Sequence, residues 1–349
     1  MHFVQFINGS NIFQTYQKFP LKKIGLPMTT SSKTPTIFVA ISCMDDDEIE
    51  YTLKSIFENA KNPNFVYVGV GLTAKKNKYF KLVKKMSKDN PNIRFSFVKQ
   101  KKNNLKTLGV GKGREMAENL YNNEDYFMQV DSHSHFDDSW DDKIISLFNE
   151  AVKKVGDKRV ILTCIPPRYK YNQKQKPEKI EPFTRYPVFV SGLFVGTVPM
   201  WTSEDSLKTS SERIIPSSKA NSAFMFGSSE FAKNTGVSKD SIFYDEEIIY
   251  SINLFGMGFA LAFPNVKDFP ITHLDGDSIT KGHERSFFLD YLDNYHSGLI
   301  HENLRIHYLE FISDPKNKEK VEKYGKYAKI DLRRGYYSAQ LYSIPKSFR

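Results

Sequence analysis

Asp131-Ser132-His133-Ser134-His135 closes an apolar run, Tyr126–Val130, within the stretch YFMQVDSHSHFDDSW. Extended backbone alternates faces with a period of two, so Asp131, His133 and His135 would project to one side if the strand continued. A carboxylate and imidazoles meeting at a strand end form a donor set for a divalent ion of the Mn²⁺ type. The plainer alternative is an aspartate that caps the next turn beside a hydrogen-bonded histidine. Trp140, a few residues on, reads either as a packing residue or as a platform for a sugar ring.

Three other places carry chemistry. Gly109-Val110-Gly111-Lys112-Gly113-Arg114 is glycine-rich and is expected to lead into a helix over Arg114–Tyr121. Backbone N–H groups at a helix start, with Lys112 and Arg114, suit phosphate oxygens. The pattern is neither a Walker A loop nor the dinucleotide fingerprint, and a turn with surface cations fits it too. Asp245-Glu246-Glu247 opens another expected helix. These acids either complement the helix dipole or face an acceptor hydroxyl and take its proton. His273, followed by Asp275 and Asp277, is a remote histidine able to complete a metal shell.

The elements that must position these residues alternate. Ile37–Cys43, Phe65–Val70, Ile93–Val98, Tyr126–Val130 and Val160–Ile165 read as apolar strands. Helical spacing follows in Ile49-Leu53-Ile56-Phe57, in a lysine-rich stretch near 75–88, and in Ile144-Phe148-Ala151-Val152. This order predicts an α/β fold, a Rossmann-like, mostly parallel sheet with helices on both faces. Ligands bind such sheets outside the C-terminal ends of the strands, where Asp131–His135 falls. Residues 166–222 break the alternation and predict irregular insertions over the sheet edge. Residues 1–33 are expected to be an N-terminal arm, 34–275 the catalytic domain, and 276–349 a helical C-terminal extension.

At 349 residues, 40% of them hydrophobic, the chain can bury a large core. No apolar run is long enough for a membrane-spanning helix, and the first residues lack a signal-peptide pattern, so a cytoplasmic location is expected, the host cytoplasm for a viral chain. Cys43 and Cys164 read as buried thiols in a reducing compartment. The formal net charge of +10 is concentrated: residues 72–106 carry twelve Lys/Arg against a single acid, Asp89. Such a segment, centred on 75–106, suits a polyanion such as DNA, or is a solvated lysine face.

Taken in order, these pieces resemble the GlcNAc-transferase-type glycosyltransferase family, typified by a protein-hydroxyproline N-acetylglucosaminyltransferase. The resemblance runs from about Thr34 to about Arg333. It rests on TIFVAISCMDDDEIEYTLKSIFENAKNPNFVYVGV, on Gly111 and Arg114 before a helix, and on YFMQVDSHSHFDDSWDD. FMFGSSEF, YDEEIIYSINLFGMGFALAFP and THLD then follow in the family's order. It implies a GT-A-type fold and a UDP-sugar donor. It also implies Mn²⁺ or Mg²⁺ held by Asp131, His133 and a third ligand, His273, which leaves His135 outside the shell. Ser42, Asp45, Gly111, Lys112, Arg114, Asp131, Ser132 and Trp140 would line the nucleotide sugar, with Asp245, Glu246 and Glu247 toward the sugar or acceptor. The acceptor would be a macromolecular hydroxyl, on a protein or on a hydroxylated DNA base. Two features depart from the family: Ser134-His135 after the Asp-Ser-His triplet, and Cys43-Met44-Asp45 at the end of the first strand. Two other readings stand beside it. Asp131-x-His133-x-His135 contains the H-x-H of metal-dependent hydrolase barrels, and the basic segment alone would suit a non-catalytic nucleic-acid-binding protein.

Overall fold

The run IFVAISC becomes strand β1 (Ile37–Cys43), in which every residue except Ser42 is buried. A continuous apolar strand of this kind serves a sheet covered on both faces. The computed structural model describes residues 33–100, 109–172, 177–180, 188–195, 198–203, 210–235, 240–241, 244–274, 299–333 and 347–348. The expected arm, apart from Lys33, lies outside them, as do 101–108 of the basic segment, Asp275 at the end of the expected catalytic domain, and 276–298, 334–346 and 349 of the C-terminal extension.

After β1 come α1 (Ile49–Glu58), β2 (Val66–Ala74), α2 (Asn77–Asp89), β3 (Ile93–Lys99), α3 (Val110–Glu118) and β4 (Tyr126–Asp131). Next are β5 (Ser134–Phe136), α4 (Trp140–Val155), β6 (Val160–Thr163), β7 (Arg168–Tyr171), β8 (Pro177–Lys179), β9 (Val188–Val195) and β10 (Val198–Ser203). The remainder are β11 (Ile214–Pro216), β12 (Phe224–Ser228), α5 (Ser229–Ala232), α6 (Tyr244–Gly256), β13 (Ala260–Pro264), β14 (Ile271–Leu274), α7 (Leu299–Ser313) and α8 (Lys318–Ala328).

The main sheet has eight strands in the order β11-β13-β6-β12-β4-β1-β2-β3. β3, β2, β1 and β4 are mutually parallel. β12 enters antiparallel between β4 and β6, while β6 and β13 again run parallel. Alternation along β1 divides the core. Ile37, Val39, Ile41 and Cys43 pack with Ile49, Leu53 and Ile56 of α1, Val83 of α2 and Ile144 of α4. Phe38 and Ala40 pack on the other face with Ala117 of α3, Phe231 of α5 and Tyr250 and Leu254 of α6. The sheet is thus mostly parallel with helices on both faces, as the sequence predicts.

The chain winds outward through β2 and β3, then returns to place β4 on the other side of β1. That reversal is a topological switch point, and it opens a crevice at the strands' C-terminal ends. Ser42 and Asp131 are direct neighbours there.

The glycine-rich segment differs from its expected form. Helix α3 begins at Val110, so Gly111 and Gly113 lie within its first turns. Close packing on the sheet explains Gly113. A Cβ on Gly113 would stand 2.1 Å from Ser42 Oγ, and one on Gly71 of β2 would stand 1.8 Å from the Gly113 carbonyl oxygen. The Gly111 N–H donates to the Ser241 carbonyl at 3.1 Å, so this helix-start group is already satisfied by the protein.

The insertions over residues 166–222 are more regular than expected. β7 and β8 join β5 and β14 in a four-stranded sheet of order β5-β14-β7-β8, and β9 pairs with β10. The C-terminal helices α7 and α8 bury Tyr308, Ile312, Val321 and Tyr324 against Ile248, Ile252 and Phe255 of α6. Tyr327 Oη also donates to the Ser217 carbonyl at 3.1 Å, tying α8 to the turn before β12.

Candidate metal centre

β4 does not run on to His135. It ends at Asp131, a turn holds Ser132 and His133, and β5 starts at Ser134. Thr52 of α1 enforces the break: its hydroxyl donates to the Ser132 carbonyl at 2.8 Å and accepts from the Ser134 N–H at 3.1 Å. Asp131 and His133 therefore converge through a turn rather than through strand alternation. His135 leaves on another side, its ring stacked on Tyr51 with centroids 5.0 Å apart. Burial holds its pKa below the usual imidazole value.

The third residue arrives by sheet pairing. β14 lies antiparallel to β5 with His273 opposite Ser134, and the Leu274 N–H donates to the His133 carbonyl at 3.0 Å. His273 Nε2 is then 2.9 Å from His133 Nε2 and 3.2 Å from Asp131 Oδ2. His133 Nε2 is 3.8 Å from the same carboxylate oxygen. Cis ligands around an ion with bonds of about 2.1 Å stand roughly 3 Å apart. Two imidazoles and one carboxylate so spaced fit one face of an octahedral ion, and the imidazoles favour a transition metal over Mg²⁺.

The surroundings prepare these donors. Asp46 Oδ2 takes a hydrogen bond from His133 Nδ1 at 2.8 Å and from the Ser132 hydroxyl at 2.7 Å. A carboxylate on Nδ1 fixes the tautomer and leaves the Nε2 lone pair for a metal. Burial pushes the Asp131 carboxyl up, but the His273 hydrogen bond and the Arg114 charge outweigh it and hold the group well below the usual carboxylate range. The residue therefore presents an anion.

Arg114 is 4% exposed and fully engaged. Its Nε contacts both Glu246 carboxylate oxygens at 3.1 and 2.9 Å, Nη1 reaches the Ser222 carbonyl at 3.4 Å, and Nη2 reaches Asp131 Oδ1 at 3.3 Å. Glu246 is thereby linked to the centre through Arg114.

The neighbouring acids diverge. Glu247 accepts from Lys219 Nζ at 2.5 Å, Asn221 Nδ2 at 3.0 Å and the Ser222 N–H at 2.9 Å, which ties down the turn before β12. Asp245 pairs with His307 of α7. Consecutive helix residues point about 100° apart, so the three acids cannot meet at one acceptor atom.

The remaining sequence-derived residues are spread around the crevice. Ser42 is at the β1 end, its hydroxyl 3.5 Å from the Val110 carbonyl. Asp45 accepts from the Lys75 and Lys76 N–H groups at 3.1 and 3.3 Å, closing the end of β1 onto the end of β2. Lys112 pairs with Glu115 on its own helix at 2.6 Å. Trp140 is in the core: it is fully buried, its Nε1 donates to the Ile56 carbonyl at 2.9 Å, and its ring meets Phe136 edge-on. It does not offer its ring as a sugar platform. Two supports escaped sequence reasoning. Asp46 was one of three adjacent aspartates with nothing to single it out, and Thr52 looked like an ordinary helix residue.

The family model for glycosyltransferases of the GlcNAc type matches residues 36–104 and 73–269. Comparison with curated proteins finds no sequence match. Among solved structures the chain is similar to GalNAc-T7 with UDP, GalNAc and Mn²⁺, with a TM-score of 0.50, 13% identity, and coverage of 69% of this chain and 44% of that one. It is also similar to the mannosyltransferase PcManGT from Pyrobaculum calidifontis in complex with GDP-Man and Mn²⁺, with a TM-score of 0.42, 11% identity, and coverage of 84% and 74%. The chain thus spans less than half of the GalNAc-T7 chain, and that likeness is one of fold. The family match takes in the switch-point crevice, Arg114, Asp131, His133 and Glu246, with His273 just beyond its end; the chain belongs to the GlcNAc glycosyltransferase family.

Proposed function

We propose that the protein moves a sugar from a nucleotide-diphosphate sugar, a UDP-sugar first of all, to a hydroxyl on a macromolecule. The reading rests on one observation: ligand atoms of Asp131, His133 and His273 all lie within 4.8 Å of one another. They do so at the switch point where α/β sheets take their ligands. The Mn²⁺ and UDP of the GalNAc-T7 structure support the same choice of ion and donor.

In this reading Asp131, His133 and His273 hold Mn²⁺ or Mg²⁺, which when bound supplies charge stabilisation to the leaving diphosphate. Asp46 keeps the His133 proton on Nδ1. Arg114 keeps Asp131 ionised and positioned, and Glu246 acts through Arg114. Ser42, Asp45, Gly111 and Ser132 shape the crevice that takes the nucleotide. A screen of several sugar nucleotides for nucleotide-diphosphate release with Mn²⁺ and no acceptor tests the activity. His273→Ala is expected to weaken Mn²⁺ binding by at least about 10–100-fold, with His135→Ala close to wild type. A centre that survives His273→Ala and is lost in His135→Ala would refute the assignment.

For the acceptor we propose a hydroxyl carried on a polyanion, such as a hydroxylated base in DNA. Support comes from α2, where Lys81, Lys84, Lys85 and Lys88 are exposed while Tyr79 and Val83 anchor the opposite side. Duplex DNA binding should then fall steeply between about 50 and 200 mM salt, and replacing these four lysines by alanine should flatten the slope. Binding that is absent or salt-insensitive excludes a DNA acceptor. A cytoplasmic setting agrees with the buried thiols of Cys43 and Cys164. Among the described residues no helix is long and apolar enough to cross a membrane.

A further inference from the structure

We infer that Arg168 is the exposed cation that grips the donor diphosphate beside the metal, an inference that rests on the transferase reading above. β7 lies parallel to β14 with Arg168 directly opposite His273. Residues paired in this way stand side by side on the same face of a sheet. Alternation along β7 agrees: Arg168 and Lys170 are exposed, and Tyr169 between them is 1% exposed. Arg168 thus occupies the position next to a metal ligand, on the solvent side of the four-stranded sheet.

The strand that presents it is anchored to the centre from two directions. The His273 N–H donates to the Pro167 carbonyl at 2.9 Å. Tyr169 and Tyr171 donate their hydroxyls to Glu48 at 2.9 and 2.7 Å, and the Glu48 N–H donates to Asp46 Oδ1 at 3.0 Å. Asp46 is the carboxylate that orients His133. The loop that sets one metal ligand therefore also sets the strand carrying Arg168.

Charge explains why such a residue is needed. When the bond between the sugar and the terminal phosphate oxygen breaks, its electron pair stays on that oxygen, and the departing diphosphate gains negative charge. The other arginine of the site, Arg114, is buried, and Lys170 lies two residues farther along β7 than the residue opposite His273. Arg168 has both the exposure and the location, and a guanidinium can meet phosphate oxygens with two parallel bonds.

The test is calorimetric binding of UDP and of inorganic pyrophosphate, each with saturating Mn²⁺, to wild type, Arg168→Ala, Arg168→Lys and Lys170→Ala, with Mn²⁺ binding measured separately. Arg168→Ala should weaken both anions by about 10-fold or more. Arg168→Lys should recover part of that loss, while Lys170→Ala and Mn²⁺ affinity itself should stay near wild type. Anion affinities unchanged in Arg168→Ala overturn the inference, and so does an equal loss of Mn²⁺ affinity, which would mark a structural role. Wild type that binds neither UDP nor pyrophosphate with Mn²⁺ would sink the transferase reading itself, and this inference with it.

Discussion

Asp131→Asn should abolish the thermal stabilisation that Mn²⁺ gives the wild-type protein and should weaken Mn²⁺-supported UDP binding by more than about 100-fold. The substitution keeps the side-chain volume and removes the one anion among the three proposed ligands. Arg114 retains both of its contacts to Glu246, so the fold should survive in EDTA. A ligand that binds only the native state stabilises it by about 2.7 kcal/mol at roughly 100 times its dissociation constant. In a chain of this size that corresponds to a rise of several degrees in Tm. Wild type should show the rise and Asp131→Asn should not; in EDTA the variant should stay folded but melt somewhat lower, because a carboxylate whose native pKa is depressed adds stability at neutral pH. Equal Mn²⁺-induced stabilisation of the two proteins would exclude Asp131 as a ligand. Asp131→Asn unfolding in EDTA would assign the carboxylate to the structure instead.

The main sheet was legible because its signal is local. Ile37–Cys43 and Tyr126–Val130 are continuous apolar runs, and runs bounded by polar turns become strands whichever neighbours they find. Asp131 and His133 were legible as a pair because they fall where such a run ends. What failed was the inference that depended on continued extension. Strand alternation put His135 on the same side, but the Thr52 hydroxyl, 80 residues away, holds the intervening carbonyl and turns the chain. The glycine-rich segment reads either as a phosphate-holding helix start or as a turn with surface cations, and no spacing rule reveals that Gly113 admits close contact with Ser42 and Gly71 on neighbouring strands. Trp140 has the composition of a sugar platform and the position of a core residue, and only the packing of Phe136 and Ile56 decides between them. Asp46 and Arg168 gain their significance from partners that no spacing rule connects to them. His273 was reached through family resemblance, since 140 residues separate it from His133.

The second large effect concerns Arg114 and Glu246, 132 residues apart in the chain and both 4% exposed. Arg114→Met preserves much of the side chain's bulk and leaves Glu246 buried without its cation. Removing one member of a buried ion pair costs about 3–5 kcal/mol, because the remaining charge has neither water nor a partner. The loss should depend on pH in a definite direction. Burial already pushes Glu246 up to about 7, against the opposing pull of Arg114, and removing that pull raises it further. A group whose native pKa lies above its unfolded value loses stability as pH rises through the interval between them. For wild type that loss is complete a little above pH 7, whereas for Arg114→Met it continues to the variant's higher native pKa. The gap in stability between the two proteins should therefore widen from about pH 7 upward and be smaller near pH 6. Glu246→Leu added to Arg114→Met should recover much of the deficit, since replacing both partners of a buried pair with apolar groups is often close to neutral. Urea denaturation of the three proteins at about pH 6 and pH 9 measures this directly. A deficit that is constant across that range and untouched by Glu246→Leu would mean that Arg114 stabilises the fold through the Ser222 carbonyl and Asp131 instead. Asp131 would then be the group left uncompensated, and the coupling of the core to the metal centre would bypass Glu246.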